Sequence, residues 1–112
     1  MDLKFKKWIS GGELSIYQKR HGQKRLGKEE RIEGEATLGF YDNGDIGFLI
    51  GGHATIPLID IRDITTLQRG LEYLLIVDCK NRKIIYRDVL ENEAKLRAFR
   101  DEFLPYIECG AA

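Results

Sequence analysis

The sequence predicts a mainly β domain, a bent antiparallel sheet or split barrel of about seven strands that is capped by a C-terminal α-helix. Short apolar runs recur along most of the chain, each followed by a turn signal about every 8–12 residues, which is typical of antiparallel all-β domains. From residue 91 onward the apolar spacing changes to three and four residues, which is typical of a helix. The 112 residues correspond in size to a single domain, residues 1–112.

The apolar runs give the order of the strands. The clearest of them cover residues 14–17, 32–41, 46–50, 56–64, 71–77 and 83–87. We interpret the chain as about seven strands, with residues 5–9 as the place for an eighth. Asn43-Gly44 predicts a tight hairpin turn, because these residues accept positive φ angles. Pro57 lacks a backbone N–H, so its strand should be at an edge or irregular at that point.

The C-terminal segment predicts an amphipathic helix over about residues 91–104. Leu96, Phe99 and Phe103 fall on one face, and this apolar stripe should plug the open end of the sheet. Asp88 with a glutamate three residues later resembles a capping box, and Asn92 is a later alternative start. Pro105 should end the regular helix, and we expect residues 108–112 to form a flexible tail.

The second half of the chain resembles a known family. Its segments IPLIDIRDITT, LEYLLIVD, RKIIYRDV and ENEAKLRAFRDEFL are similar to the GRAM and bacterial pleckstrin-homology pattern, and the resemblance covers about residues 36–107. The chain is similar as well to the archaeal taxis adaptor CheF and to the N-terminal domain of a subunit of transcription factor TFIIH. The resemblance implies a pleckstrin-homology-like fold, in which two sheets pack orthogonally and the helix plugs one end. Because this superfold supports unrelated functions, it implies no single activity.

Composition indicates a soluble globular protein. Lysine plus arginine and aspartate plus glutamate number 18 each, so no net charge drives binding to nucleic acid or membranes. No apolar run approaches the roughly 20 residues of a membrane span, and we find no signal peptide. Cys79 and Cys109 do not form a disulfide framework, and reduced thiols in a cytoplasmic protein are the simplest interpretation.

The strongest candidate site is the basic loop at residues 18–28. It follows the predicted strand at residues 14–17, and in phosphoinositide-binding pleckstrin-homology domains the loop between the first two strands carries such cations. A glycine-containing loop lets several cations converge on one anionic group. The candidate residues are Lys19, Arg20, Lys24, Arg25 and Lys28. The alternative interpretation is a solvated surface loop that keeps the protein soluble.

No motif predicts catalysis, a metal or a cofactor. His21 and His53 lack partners at ligand spacing, and the cysteines do not form a Cys-x-x-Cys motif. The glycines near residue 47 lie in a hairpin and do not open a helix, so they do not predict a phosphate-binding loop. Trp8 among lysines could stack on a base, but a single tryptophan in a neutral chain is expected in the core, and nucleic acid is not an expected partner.

These observations predict a non-enzymatic adaptor or regulatory module that binds another protein. The partner would add an extended segment to a sheet edge or lie beside the helix. The alternative is binding of an anionic lipid or phosphoinositide through the basic loop.

Overall fold

The computed structural model describes residues 4–18, 29–49 and 53–110, and these contain seven strands and one α-helix. The mainly β class with a C-terminal helix is therefore confirmed. Two short 3-10 helices, Leu58–Asp60 and Leu90–Asn92, connect longer elements. The longer elements are β1 (Lys7–Gln18), β2 (Glu29–Phe40), β3 (Ile46–Leu49), β4 (His53–Ile56), β5 (Ile61–Arg69), β6 (Glu72–Cys79), β7 (Arg82–Val89) and α1 (Glu93–Gly110).

All seven strands belong to one antiparallel sheet, in the order β4-β3-β2-β1-β7-β6-β5. The first half of β1 pairs with β2 alone, whereas its second half, from Glu13 onward, pairs with both β2 and β7. The ladder is continuous across β1, so the described strands form two wings of one sheet rather than two separate sheets. Consequently β4 and β5 lie at the two ends of the strand order.

The sheet bends where β1 carries two glycines. The register of β1 against β2 shifts on both sides of Gly12, and Gly11 has a φ of 94°. The backbone N–H of Gly12 donates a hydrogen bond of 2.8 Å to the hydroxyl of Tyr86. This bulge increases the local twist of β1 and turns the two wings toward a common core.

One apolar cluster fills the space between the wings and the helix. It takes side chains from all seven strands, and Leu96, Phe99 and Phe103 of α1 are fully buried in it. The ring of Phe40 contacts those of Phe99 and Phe103 edge-on, at centroid distances of 5.1 and 5.4 Å. The prediction that these three helix residues plug the sheet is therefore confirmed.

The single predicted strand at residues 56–64 was wrong, because it is two strands, but the expected edge position and the irregularity at Pro57 are confirmed. Strand β4 ends at Ile56, before Pro57, and Pro57 accepts a backbone hydrogen bond from Asp60 that closes a short 3-10 helix. Strand β5 then begins at Ile61 and continues to Arg69, farther than predicted. The corner is held by Asp45, whose carboxylate accepts a hydrogen bond of 2.9 Å from the N–H of Leu58.

The helix begins at the later of the two expected starts, directly after Asn92, and the capping box at Asp88 does not form. The carboxylate of Asp88 accepts hydrogen bonds from the side chain of Asn92 and from the N–H of Val89. A 3-10 helix therefore comes first, and regular α-helix begins at Glu93.

The predicted end of the helix was wrong, because α1 continues through Pro105 to Gly110. A proline inside a helix removes one hydrogen bond and costs about 3 kcal/mol. Here Leu104, Tyr106 and Ile107 pack against the core on either side of it, and their burial offsets that cost. Residues 108–110 thus belong to the helix instead of the expected flexible tail.

Candidate functional site

The five predicted basic-loop residues lie outside the described residues. Strand β1 ends at Gln18 and β2 begins at Glu29, so the loop does connect the first two strands. The residues concerned are Lys19, Arg20, Lys24, Arg25 and Lys28, and the structure describes none of them.

The structure places other cations beside the point where this loop begins. Gln18 pairs with Arg82, and the preceding residue of β1 pairs with Lys83. Lys80 is exposed in the turn between β6 and β7. A cationic turn, residues 80–83, therefore lies next to the start of the predicted basic loop, although the sequence alone did not relate the two segments.

A cleft of about 140 Å³ separates the end of β4 from this cationic turn. The thiol of Cys79 lies in its wall, and burial raises the pKa of Cys79 to about 11. The thiol is consequently protonated at neutral pH and is a poor nucleophile. The other lining residues are Thr55, Ile56, Pro57, Asp60, Lys80, Asn81 and Arg82.

Metal-ligating side chains do not cluster in the part of the chain that the structure describes. No group of three or more histidine, cysteine, aspartate or glutamate side chains in residues 4–18, 29–49 and 53–110 could hold a metal ion.

The nine-residue strand β5 presents a free edge. It pairs with β6 on one side, and the described residues place no strand on its other side. Gly70 and Leu71 form the turn between β5 and β6, and Gly70 takes a φ of 63°, as the first central residue of a type II′ turn requires. Such a two-residue turn makes Arg69 and Glu72 a hydrogen-bonded pair.

Backbone bonding alternates along an antiparallel strand, so the groups that face away from β6 follow from this pair. Ile64, Thr66 and Gln68 direct their backbone N–H and C=O groups toward the free edge. The N–H of Ile64 agrees with this assignment, because it donates to the carboxylate of Asp63 at 2.9 Å. No described group receives a hydrogen bond from the backbone N–H of Thr66 or Gln68.

The helix flanks this edge with a cluster of four hydrogen-bonded side chains, hereafter the Thr66 cluster. The Thr66 hydroxyl accepts hydrogen bonds from Tyr73, at 3.0 Å, and from Arg100, at 2.9 Å. The Tyr73 hydroxyl accepts one from Arg97, at 2.9 Å. The cluster fixes α1 beside β5 through side chains and leaves the backbone edge of β5 uncovered by these bonds.

Burial and hydrogen bonding have opposite effects on the pKa of Tyr73. Burial disfavours its phenolate, but the hydrogen bonds with Thr66 and Arg97 outweigh burial and lower the pKa of Tyr73. The Arg97 guanidinium lies 6.0 Å from the centre of the Tyr73 ring and pairs with Glu93 at 3.3 Å. Arg100 likewise pairs with Asp101 at 2.8 Å, so each arginine of the cluster already has a carboxylate partner.

The expectation that Trp8 lies in the core was wrong, since its side chain is 60% exposed. Trp8 pairs with Gly39 on the face of the sheet that points away from the core. The ring of Phe5 already covers that glycine, because a Cβ atom there would lie 2.5 Å from it. The neighbouring Lys6 and Lys7 bond to Tyr106 and Glu102 of the helix.

Strand pairing explains the exposure of one further apolar residue. Leu67 of β5 is 52% exposed and lies opposite Leu74, on the outer face of the sheet. The remaining large exposed apolar residues are Ile59, Leu71 and Val89.

None of the described helices is long and apolar enough to cross a membrane. Comparison with protein-family models, with curated proteins and with solved structures finds no match to this chain.

Proposed function

We propose that this domain is a non-enzymatic protein-binding module, an adaptor or regulatory domain, that accepts an extended segment of another polypeptide along the edge of β5. The observation that carries the proposal is the unengaged backbone N–H of Thr66 and of Gln68 on a nine-residue edge strand. Strand addition provides affinity through main-chain hydrogen bonds and specificity through alternate side chains.

The composition of β5 supports this use of its edge. Edge strands are normally protected by charges, bulges or prolines, because an open edge pairs with other chains. In β5 the charged residues are Arg62, Asp63 and Arg69, near its two ends, and the bulge falls between Ile61 and Asp63. The central residues 64–68 carry no charge, so the protection is weakest in the middle of the strand.

The helix beside β5 offers contacts for the side chains of an added segment. Alternate residues of that segment would point toward α1, where Arg97 and Arg100 form the flank. The others would share the outer face with the exposed side chain of Leu67. We therefore expect the preferred segments to place an apolar residue beside Leu67.

Selection of displayed peptides on the wild-type domain, followed by affinity measurement, tests the proposal. Proline at position 68 removes the free N–H without breaking the ladder to β6, and edge strands tolerate proline at such positions. We expect Gln68→Pro to weaken binding of the selected peptides by at least about tenfold.

Gln68→Ala is the matched control, because it keeps the backbone N–H and should bind almost as the wild type does. Hydrogen exchange provides a second measurement, in which peptide binding should slow exchange of the amides of Thr66 and Gln68. Equal binding to Gln68→Pro and wild type, with no protection of these amides, would contradict the proposal.

A second candidate function is binding of an anionic lipid headgroup at the cationic turn. The observation in its favour is that the pairing of Gln18 with Arg82 puts residues 80–83 beside the start of the predicted basic loop. Co-sedimentation with vesicles that contain phosphoinositide, compared with neutral vesicles, tests it.

In that experiment the wild type should sediment with the anionic vesicles in a salt-sensitive manner. Lys83→Glu and the pair Lys24→Glu/Arg25→Glu should each reduce binding, whereas Lys95→Glu on the exposed side of the helix should not. Failure of the wild type to bind anionic vesicles would eliminate this candidate.

A further inference from the structure

We infer that the β5 edge fits a second copy of this chain, with two β5 strands antiparallel about a two-fold axis in one continuous sheet. The inference rests on the proposed function, because it requires that the edge accept a strand. It adds the identity of the partner and the register of the pairing.

The charges of β5 are complementary to themselves in one register. With the two-fold axis at Thr66, Asp63 of each copy lies opposite Arg69 of the other, so two oppositely charged pairs form by symmetry. All four of these side chains lie on the outer face of the sheet, where Thr65 also lies opposite Leu67. Opposite charges that face each other across an antiparallel pair are stabilising, and like charges are destabilising.

The backbone permits this register, and the charges select it among the permitted ones. The residues whose N–H and C=O groups point to the free edge are Ile64, Thr66 and Gln68, and in a dimer they must lie opposite one another. Only registers that pair even-numbered residues with even-numbered residues meet this condition. An axis at Thr66 meets this condition and places Ile64 opposite Gln68. An axis at Thr65 would instead place Asp63 opposite Leu67, and no other permitted axis places Asp63 opposite a cation of β5.

The side chains that would pair across the dimer interface form no ion pair with a described residue of their own chain. Asp63 and Arg69 are exposed, and neither forms an ion pair with a described residue. The Thr66 cluster uses the Thr66 hydroxyl and not its backbone, so its N–H and C=O are available for exchange between the copies.

Assembly through this edge stops at a dimer. Pairing of β5 with β5 is isologous, so both free edges are used at once and no further chain can add there. The other terminal strand, β4, has four residues and ends at Ile56, just before Pro57, which makes it a poor partner for β5 of another copy.

Sedimentation equilibrium of the full chain tests the inference. At high concentration the wild type should approach twice the 12.9 kDa mass of one chain. Asp63→Lys and Arg69→Glu should each weaken dimerisation by at least about tenfold, since each replaces two attractive pairs with two repulsive ones. A mixture of the two variants should dimerise again, because the introduced lysine of one chain then faces the introduced glutamate of the other. The remaining native pair, Arg69 of the first variant and Asp63 of the second, is attractive as well.

Lys95→Glu, which reverses a charge on the exposed side of the helix, should dimerise like the wild type. Far-UV circular dichroism shows whether each variant is folded. A monomeric wild type at all concentrations, undiminished dimerisation of both single variants, or species larger than a dimer would each overturn the inference. If the wild type is monomeric but selected peptides still need the Gln68 N–H, the dimer is excluded and the proposed function stands.

Discussion

At position 12 a side chain would collide with two neighbours at once. A Cβ atom there would lie 2.5 Å from the carbonyl oxygen of Arg87 and 2.5 Å from the ring of Tyr86. Both neighbours belong to β7, so the close approach of β1 to β7 depends on the absence of a side chain. In the sequence this glycine lies between the predicted strands at residues 5–9 and 14–17, and nothing there identifies the strand that approaches it, because β1 and β7 are far apart in the chain.

We expect Gly12→Ala to lower the free energy of unfolding by about 3 kcal/mol, through overpacking and a weakened hydrogen bond to Tyr86. Urea denaturation measures this change. Ser10→Ala, at an exposed position of the same strand, is the control and should change stability by less than about 0.5 kcal/mol. A Gly12→Ala variant as stable as the control would show that β1 can move away from β7.

At the level of secondary structure, the two prolines occupy different positions. Pro57 follows the end of β4 and precedes a 3-10 helix, where no hydrogen-bond donor is needed. Pro105 lies inside α1 at an exposed position, where its missing N–H costs one hydrogen bond to the carbonyl of Asp101. Local rules predicted a helix end at Pro105, but burial of Tyr106 and Ile107 against the core outweighs the local penalty.

We therefore expect Pro105→Ala to stabilise the protein by about 1–2 kcal/mol, because the helix gains a donor at an exposed position. The melting temperature should rise by roughly 5 °C in a thermal scan followed by circular dichroism. Pro57→Ala is the control, and it should lower stability by about 0.5 kcal/mol through greater freedom of the unfolded chain. A lower melting temperature for Pro105→Ala would contradict this account.

Across the whole molecule, β1 belongs to both wings of the sheet, and one core cluster contacts every strand and the helix. If one wing unfolded, the apolar face of the other wing would be exposed to water. The domain should therefore unfold as one cooperative unit.

We expect urea unfolding at a monomeric concentration to give one transition, with coincident midpoints by far-UV and near-UV circular dichroism. Phe99→Ala should lower the midpoint, with a loss of about 3–5 kcal/mol, and should not produce a second transition. Lys95→Ala, one turn earlier on the exposed side, should leave it almost unchanged. Separate midpoints for the two signals would show that the wings unfold independently.

The sequence pattern predicted those elements that depend on residues close together in the chain. The turn at Asn43-Gly44 follows from turn chemistry, and the structure confirms it, although only Gly44 takes a positive φ. The buried helix face of Leu96, Phe99 and Phe103 follows from the 3.6-residue period and is confirmed as well. The corner at residues 57–60 was predicted only in part, because Pro57 indicated an irregularity but the continuous apolar run did not show that one strand ends and another begins there.

The candidate site was predictable only in part. The basic residues of the loop are evident from composition, and the location of that loop between the first two strands is confirmed. The edge of β5 was not identifiable, because no property of residues 61–69 alone shows that β5 lacks a second neighbour. The exposure of Trp8 likewise depends on its pairing with Gly39.

The mainly β class, the turns and the buried helix face could be predicted from the sequence, because they depend on residues close together in the chain. Three features became evident only in the folded chain, namely that β1 joins both wings, that α1 passes Pro105 and that β5 has a free edge. Each of these depends on contacts between distant segments, whose burial and pairing energies exceed the local preferences.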